Sequence, residues 1–183
     1  MTWIQWGQNR VAPFLLISLT VGFVSEASAR DAGHGRVSMK GAIVERPCAI
    51  DVGDRDQTLV MDTIPVSQIV RDGRGPQKAF SIRLVDCVLS RLDPHKPDWQ
   101  GFTVTFDGEG DWGHFAVSGE AKGVAVAIAD EVGNQAQPGR MMPPAAIIPS
   151  EMLLRYTVNL VGNRETLRAG DYHSAIRFRM DYY

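Results

Sequence analysis

The chain has 183 residues, with 19 Lys+Arg against 21 Asp+Glu and a formal net charge of −2. That balance, without any basic block, excludes a nucleic-acid binder and a protein held to an anionic membrane surface. The length fits one domain with a real core.

Residues 1–29 read as a secretory signal. Arg10 gives a weakly positive start, and residues 11–24 form an apolar run broken by Pro13, Ser18, Thr20 and Gly22. Ala27, Ser28 and Ala29 have the small-x-small form of a cleavage site, so a cut after Ala29 is expected. The alternative, an N-terminal membrane anchor, asks for about 20 spanning residues, more than this run supplies. The mature chain is therefore expected to be soluble and exported.

Residues 30–47 differ in character from the rest of the mature chain. Asp31, Ala32, Gly33, His34 and Gly35 bury little. Val37, Met39, Gly41 and Ile43 then alternate with Ser38, Lys40 and Ala42, which predicts a strand with a glycine on its apolar face. An ordinary first strand of the fold is the other reading of that pattern.

Two cysteines, Cys48 and Cys87, come next in an exported chain, and one disulfide is the simplest use of them. Two buried free thiols are the alternative. A metal pair lacks the CxxC spacing or clustered histidines it needs.

The body alternates in short runs. Residues 65–70 suit one helical turn. Strands are expected over residues 81–87, 102–106, 123–128 and 154–160. Between them lie Gly-, Pro-, Asp- and Asn-rich turns at residues 72–76, 93–97, 107–111, 132–134 and 142–144. Many short strands without amphipathic helices between them predict an all-β sandwich.

The last fourteen residues are the most regular. Gly170, Tyr172, Ser174, Ile176, Phe178, Met180 and Tyr182 form one series. Asp171, His173, Arg177, Arg179 and Asp181 stand between them. This predicts a half-buried strand, and with Tyr183 as the last residue no later segment is expected to cover its open edge. One strand lacks a neighbour and residues 37–43 are free to be one. The expectation is a chain that pairs with copies or relatives of itself.

Catalytic patterns are missing. His34, His95, His114 and His173 are scattered, without a triad or zinc partner. Residues 117–120 lack the first glycine of a nucleophile elbow, and no phosphate loop occurs. Residues 107–111 carry three carboxylates but not the later Glu of an EF-hand, so a solvated turn is expected. Trp99 and Trp112 are expected to divide between core and loop rather than to form a sugar platform. The reading is a structural protein without enzyme activity, cofactor, metal or small-molecule substrate.

These residues resemble chaperone–usher pilins, the subunits of Gram-negative fimbriae. Four elements carry the resemblance across the whole mature chain. A signal precedes Gly35, Val37, Met39, Gly41 and Ile43 in alternation. Cys48 and Cys87 stand at a family-typical interval. Residues 121–124 lead through Ile128, Ala129 and Asp130 to Gly133 and Asn134. Gly170 lies fourteen from the end and Tyr182 is penultimate.

The resemblance implies an incomplete immunoglobulin-like β-sandwich lacking its last strand. Residues 1–29 would be the signal, 30–47 the donor-strand extension and 48–183 the pilin domain. Val37, Met39, Gly41 and Ile43 would be donor anchors, with Gly41 facing the groove and Met39 initiating exchange. Gly170, Tyr172, Ile176, Phe178, Met180 and Tyr182 would form the acceptor strand, and the Tyr183 carboxylate would anchor to a periplasmic chaperone. Other pilin subunits, that chaperone and an outer-membrane usher are the implied partners, and the fimbrium at the cell surface is the implied location.

Residues 61–66, Gly75, Pro76, residues 80–84, 170–172 and 181–183 look similar to the subunit that terminates and anchors P pili. A minor, terminating subunit is therefore expected, with a shaft pilin as the alternative. A self-contained secreted β-sandwich is the alternative of another class.

Overall fold

The computed structural model describes residues 35–183. The expected signal over residues 1–29, the cut after Ala29 and residues 30–34 of the extension lie outside them. The chain divides into two units, Met1–Gly41 and Ala42–Tyr183. In the first, residues 35–41 form no helix or strand, and Val37 and Met39 are exposed.

The second unit is built of strands. In chain order they are β1 (Ala49–Ile50), β2 (Lys78–Cys87), β3 (Gly101–Asp107), β4 (Gly110–Asp111), β5 (His114–Phe115) and β6 (Ser118–Gly119). Next come β7 (Val124–Asp130), β8 (Ala145–Ala146), β9 (Ser150–Gly162), β10 (Tyr172–His173) and β11 (Arg177–Tyr182). One helix, α1 (Val66–Asp72), sits between β1 and β2. Pro65 opens it with an extended backbone, and Gly73 ends it at φ 69°. Only a glycine adopts that left-handed stop without strain.

All strand pairings are antiparallel. Six strands run in the order β1-β2-β9-β7-β5-β4, and three run β11-β3-β8. β10 and β6 form a separate two-stranded ribbon. The two larger sheets meet through an aromatic cluster. Phe106 of β3 packs edge-on against Tyr156 of β9 at 5.1 Å and against Phe80 of β2 at 6.4 Å. Ile82, Leu84, Val126, Ile128 and Val158 fill the space around them. Each such buried side chain contributes roughly 1.5–3 kcal/mol. Burial and a neighbouring Asp130 charge push the Tyr156 phenol up to about 12, so it stays neutral at any working pH.

The expected strands over residues 81–87, 102–106, 123–128 and 154–160 all lie within β2, β3, β7 and β9, apart from Gly123, which precedes β7 at φ 81°. In β7 the larger residues Val124, Val126 and Ile128 join the core, while the small Ala125 and Ala127 are buried on the opposite side. That explains the large-small alternation. Trp99 packs against the core and Trp112 is exposed, as the sequence suggests.

Two expectations change. Residues 37–43 are not a strand. An alternating segment holds only half of what a strand needs, because its ladder hydrogen bonds require a neighbour. The closing segment is not one strand from Gly170 to Tyr182 but two. Tyr172 and His173 pair with Gly119 and Ser118, while Arg177 to Tyr182 pair with β3. Between them the Ser174 hydroxyl donates to the Ala116 carbonyl, and the chain crosses from one sheet to the other.

Candidate functional site: the open cleft beside the last strand

β11 has a neighbour on one edge only. Its register places Phe178 opposite Phe106 and Met180 opposite Val104. At the end of the ladder the Tyr183 N–H donates to the Gly101 carbonyl at 3.1 Å, and the Gly101 N–H donates back at 3.3 Å. That is a hydrogen-bonded pair, and such pairs alternate along antiparallel strands. Arg177, Arg179 and Asp181 therefore direct their main-chain groups at β3. Phe178, Met180 and Tyr182 direct theirs away, off the free edge. Among the described residues no strand pairs with that edge.

A cleft of ≈1160 Å³ lies beside the free edge. One wall is residues 168–178, including Gly170, Tyr172, Ile176 and Phe178. The facing wall is residues 55–64. Core side chains make the floor: Phe80, Phe106, Val126, Ile128, Val158 and Leu160. Phe106, Val126, Ile128, Val158 and Leu160 are only 2–7% exposed, and Phe80 is half-buried.

The facing wall runs antiparallel to β2 without forming a regular ladder. Side chains hold it instead. Gln57 donates to the Ser81 carbonyl at 2.8 Å, Lys78 donates to the Val60 carbonyl, and the Asp54 carboxylate accepts from the Arg83 N–H. Leu59, Met61 and Ile64 turn inward onto the core. The sequence reading placed the acceptor surface on the last strand alone and missed this wall. Its signal is the Leu59-x-Met61 alternation, diluted by polar neighbours.

The expected acceptor residues separate into two groups. Tyr172, Ile176 and Phe178 line the cleft with Gly170, while Met180 and Tyr182 do not. Tyr182 instead packs against Trp99 at 6.3 Å and Phe102 at 6.1 Å, and Arg91 covers the other ring of that stack at 3.6 Å from Trp99. The cleft lining thus stops at Ile50 and Phe178. Burial raises the Tyr182 phenol pKa, and burial with the Asp62 charge raises that of Tyr172. The Tyr172 hydroxyl is shielded and has no hydrogen-bond partner among the described residues.

Gly170 has a steric reason. A Cβ there would meet the Glu120 Cβ at 2.5 Å and the Ala121 nitrogen at 2.8 Å. Glycine lets the chain pass this close before β10 pairs with β6. The Tyr183 main-chain oxygen accepts from the Gln100 N–H at 2.8 Å. Cys48 and Cys87 are bonded to each other, across 39 residues, and both are buried. The bond ties the start of β1 to the end of β2.

Comparison with known proteins identifies the family. The chain is 35% identical over 150 residues to the PAP fimbrial minor pilin protein of Escherichia coli, covering 81% of this chain and 77% of that one. The chain belongs to the fimbrial pilins. This pilin is also 30% identical over 169 residues to the Fimbria A protein of Serratia marcescens, covering 90% and 93% of the two chains. No protein-family model matches it. Its fold is similar to the crystal structure of the P pilus rod subunit PapA, with a TM-score of 0.67 at 18% identity, over 75% of this pilin and all of that chain. A chaperone–usher pilus structure gives 0.65 at 19% identity, over 86% of this pilin and all of that chain. The all-β pilin fold and a place in the fimbrium follow from the family.

Proposed function

We propose that this pilin assembles into a fimbria by donor-strand exchange. Its cleft takes a β-strand supplied in trans, and its own Val37, Met39, Gly41 and Ile43 supply one to a sister subunit. The observation that carries this reading is the free edge of β11 over an apolar floor. One added strand pairs with the unpaired main-chain groups and sets its apolar side chains in the cleft beside them. From Val37 to Ile43 an extended chain covers about 20 Å, and the six residues of β11, Arg177–Tyr182, cover about 17 Å.

Polarity follows from where the ends lie. Cys48 opens the segment that runs toward Met61 beside β2, and Arg46 lies close enough to Tyr182 for its charge to act on that phenol. Arg46, at the root of the donor segment, therefore lies near the end of the domain where β11 finishes. For subunits to stack head to tail, an incoming donor's root must sit at the opposite end, beside Tyr172. The donor then runs antiparallel to β11, with Ile43 near Tyr172 and Val37 toward Phe178. Before assembly, a periplasmic chaperone fills the cleft and holds the Tyr183 carboxylate, and an outer-membrane usher hosts the exchange.

Gly41→Trp tests the donor role. The substituted residue lies outside every strand, so the circular dichroism of the purified mature protein should not change. Incorporation into fibres should fall by at least about tenfold, because a bulky residue replaces the one that faces the groove. Unchanged incorporation would count against the assignment.

A second reading concerns rank in the fibre. The 35% identity is to minor pilins, against 28% to the major MR/P fimbria protein of Proteus mirabilis. The cleft also stops at Phe178, leaving the Met180 and Tyr182 end filled. Both features support a minor subunit that terminates and anchors the fibre rather than a shaft subunit. Deleting it should then lengthen fibres and shed them into the medium. If fibres vanish instead, it is the shaft subunit.

A further inference from the structure

The root of the donor segment carries an apolar patch of its own. The turn after β2 is clamped onto that root at two points. The Val88 N–H donates to the Pro47 carbonyl at 2.8 Å, and the Leu92 N–H donates to the Glu45 carboxylate at 2.5 Å. The Cys48–Cys87 bond lies between the two clamps and the strands. Held in this way, Val44, Val88 and Leu92 stay 59%, 55% and 89% exposed. Single exposed apolar residues are ordinary, but here Val88 and Leu92 lie on the clamped turn and Val44 lies beside Glu45, which clamps it.

Chain length names the occupant. Only residues 44–47 separate the last donor anchor, Ile43, from Cys48. Five residue steps span at most about 18 Å. Once Ile43 is seated in a sister subunit's cleft, the Cys48 end of this domain has to lie against the mouth of that cleft. We infer that Val44, Val88 and Leu92 form a second contact that docks on the accepting pilin around the mouth of its groove. This rests on the donor-strand reading and adds a domain-to-domain surface to it. The patch then covers the seam where water would otherwise reach the last anchor.

The experiment uses single added cysteines, since the two native cysteines are bonded to each other. Leu92→Cys and Val88→Cys are labelled with a maleimide, first in the free mature subunit and then in purified fibres. Val132→Cys, exposed in the turn after β7, is the reference. In fibres Leu92→Cys should react at least about tenfold more slowly than in the free subunit, as expected of an excluded-water contact. Val132→Cys should change by less than about threefold, as expected of a residue left in solvent. Equal rates at Leu92→Cys in both states would overturn the proposal, and so would equal protection at Leu92→Cys and Val132→Cys. Leu92→Asp, a surface change, should in addition speed subunit loss from fibres. Failure of the donor-strand reading has a different signature: the chain is then absent from fibres on an immunoblot whichever residue is changed.

Discussion

Joining residues 35–47 behind Tyr183 through a short turn is expected to raise the melting temperature of the mature protein by about 10 °C. The graft gives β11 the neighbour it lacks. A turn at Tyr183 reverses the chain, so the added segment enters antiparallel to β11, the direction proposed for an incoming donor. Val, Met and Ile anchors each contribute roughly 1.5–3 kcal/mol when buried. Ordering the added backbone opposes this, and the new ladder bonds offset part of that cost. A net gain of about 3–4 kcal/mol corresponds to the stated shift in a domain of this size. The graft bypasses subunit exchange, so it tests the cleft even in a subunit that accepts no donor from a neighbour. Met39→Asp with Ile43→Asp in the graft should abolish the gain. A melting temperature within about 2 °C of the ungrafted chain would show that the cleft does not want a strand.

Removing the disulfide should act in the opposite direction. Cys48→Ala with Cys87→Ala is expected to destabilise the domain by about 4 kcal/mol, the loop-closure value for the 39-residue separation. The melting temperature should fall by about 8–16 °C. Two further effects reinforce the loss. Both cysteines sit in the core, so each truncation leaves space behind. β1 also has just two residues, Ala49 and Ile50, pairing with Val85 and Leu84. Thermal unfolding followed by circular dichroism, oxidised wild type against the double variant, measures the difference. A fall below about 2 °C would mean that the side-chain bonds from residues 54–60 hold this wall without the sulfur bridge.

Period-two alternation located the strands because it is a local property. β2, β3, β7 and β9 each bury one face against the other sheet, and their sequences record it. β7 also records that its second face is buried, through alanines. The last strand was legible for the same reason, from Arg177 to Tyr182. Three features were not. The wall at residues 55–64 is held by Gln57, Lys78 and Asp54 rather than by a ladder, so it leaves no clean alternation. The division of the last segment into β10 and β11 depends on the Ser174 bond to Ala116, a partner 58 residues away. The shortness of the cleft depends on Trp99 meeting Tyr182, and a loop tryptophan gives no sign of which strand it will cover.

By itself, the sequence determined that this protein is all-β, with two cysteines suited to one sulfur bridge, a regular last strand and an alternating segment near its start. These are matters of residue type and spacing, and they are complete within a dozen residues of chain. Tertiary structure alone decided that β11 keeps a free edge, that an apolar cleft lies beside it between two walls, and that the cleft lining ends at Phe178. An edge is free or covered according to what the rest of the chain places beside it. Only the packed sheets, in which β3 takes one side of β11 and no strand among the described residues takes the other, contain that fact.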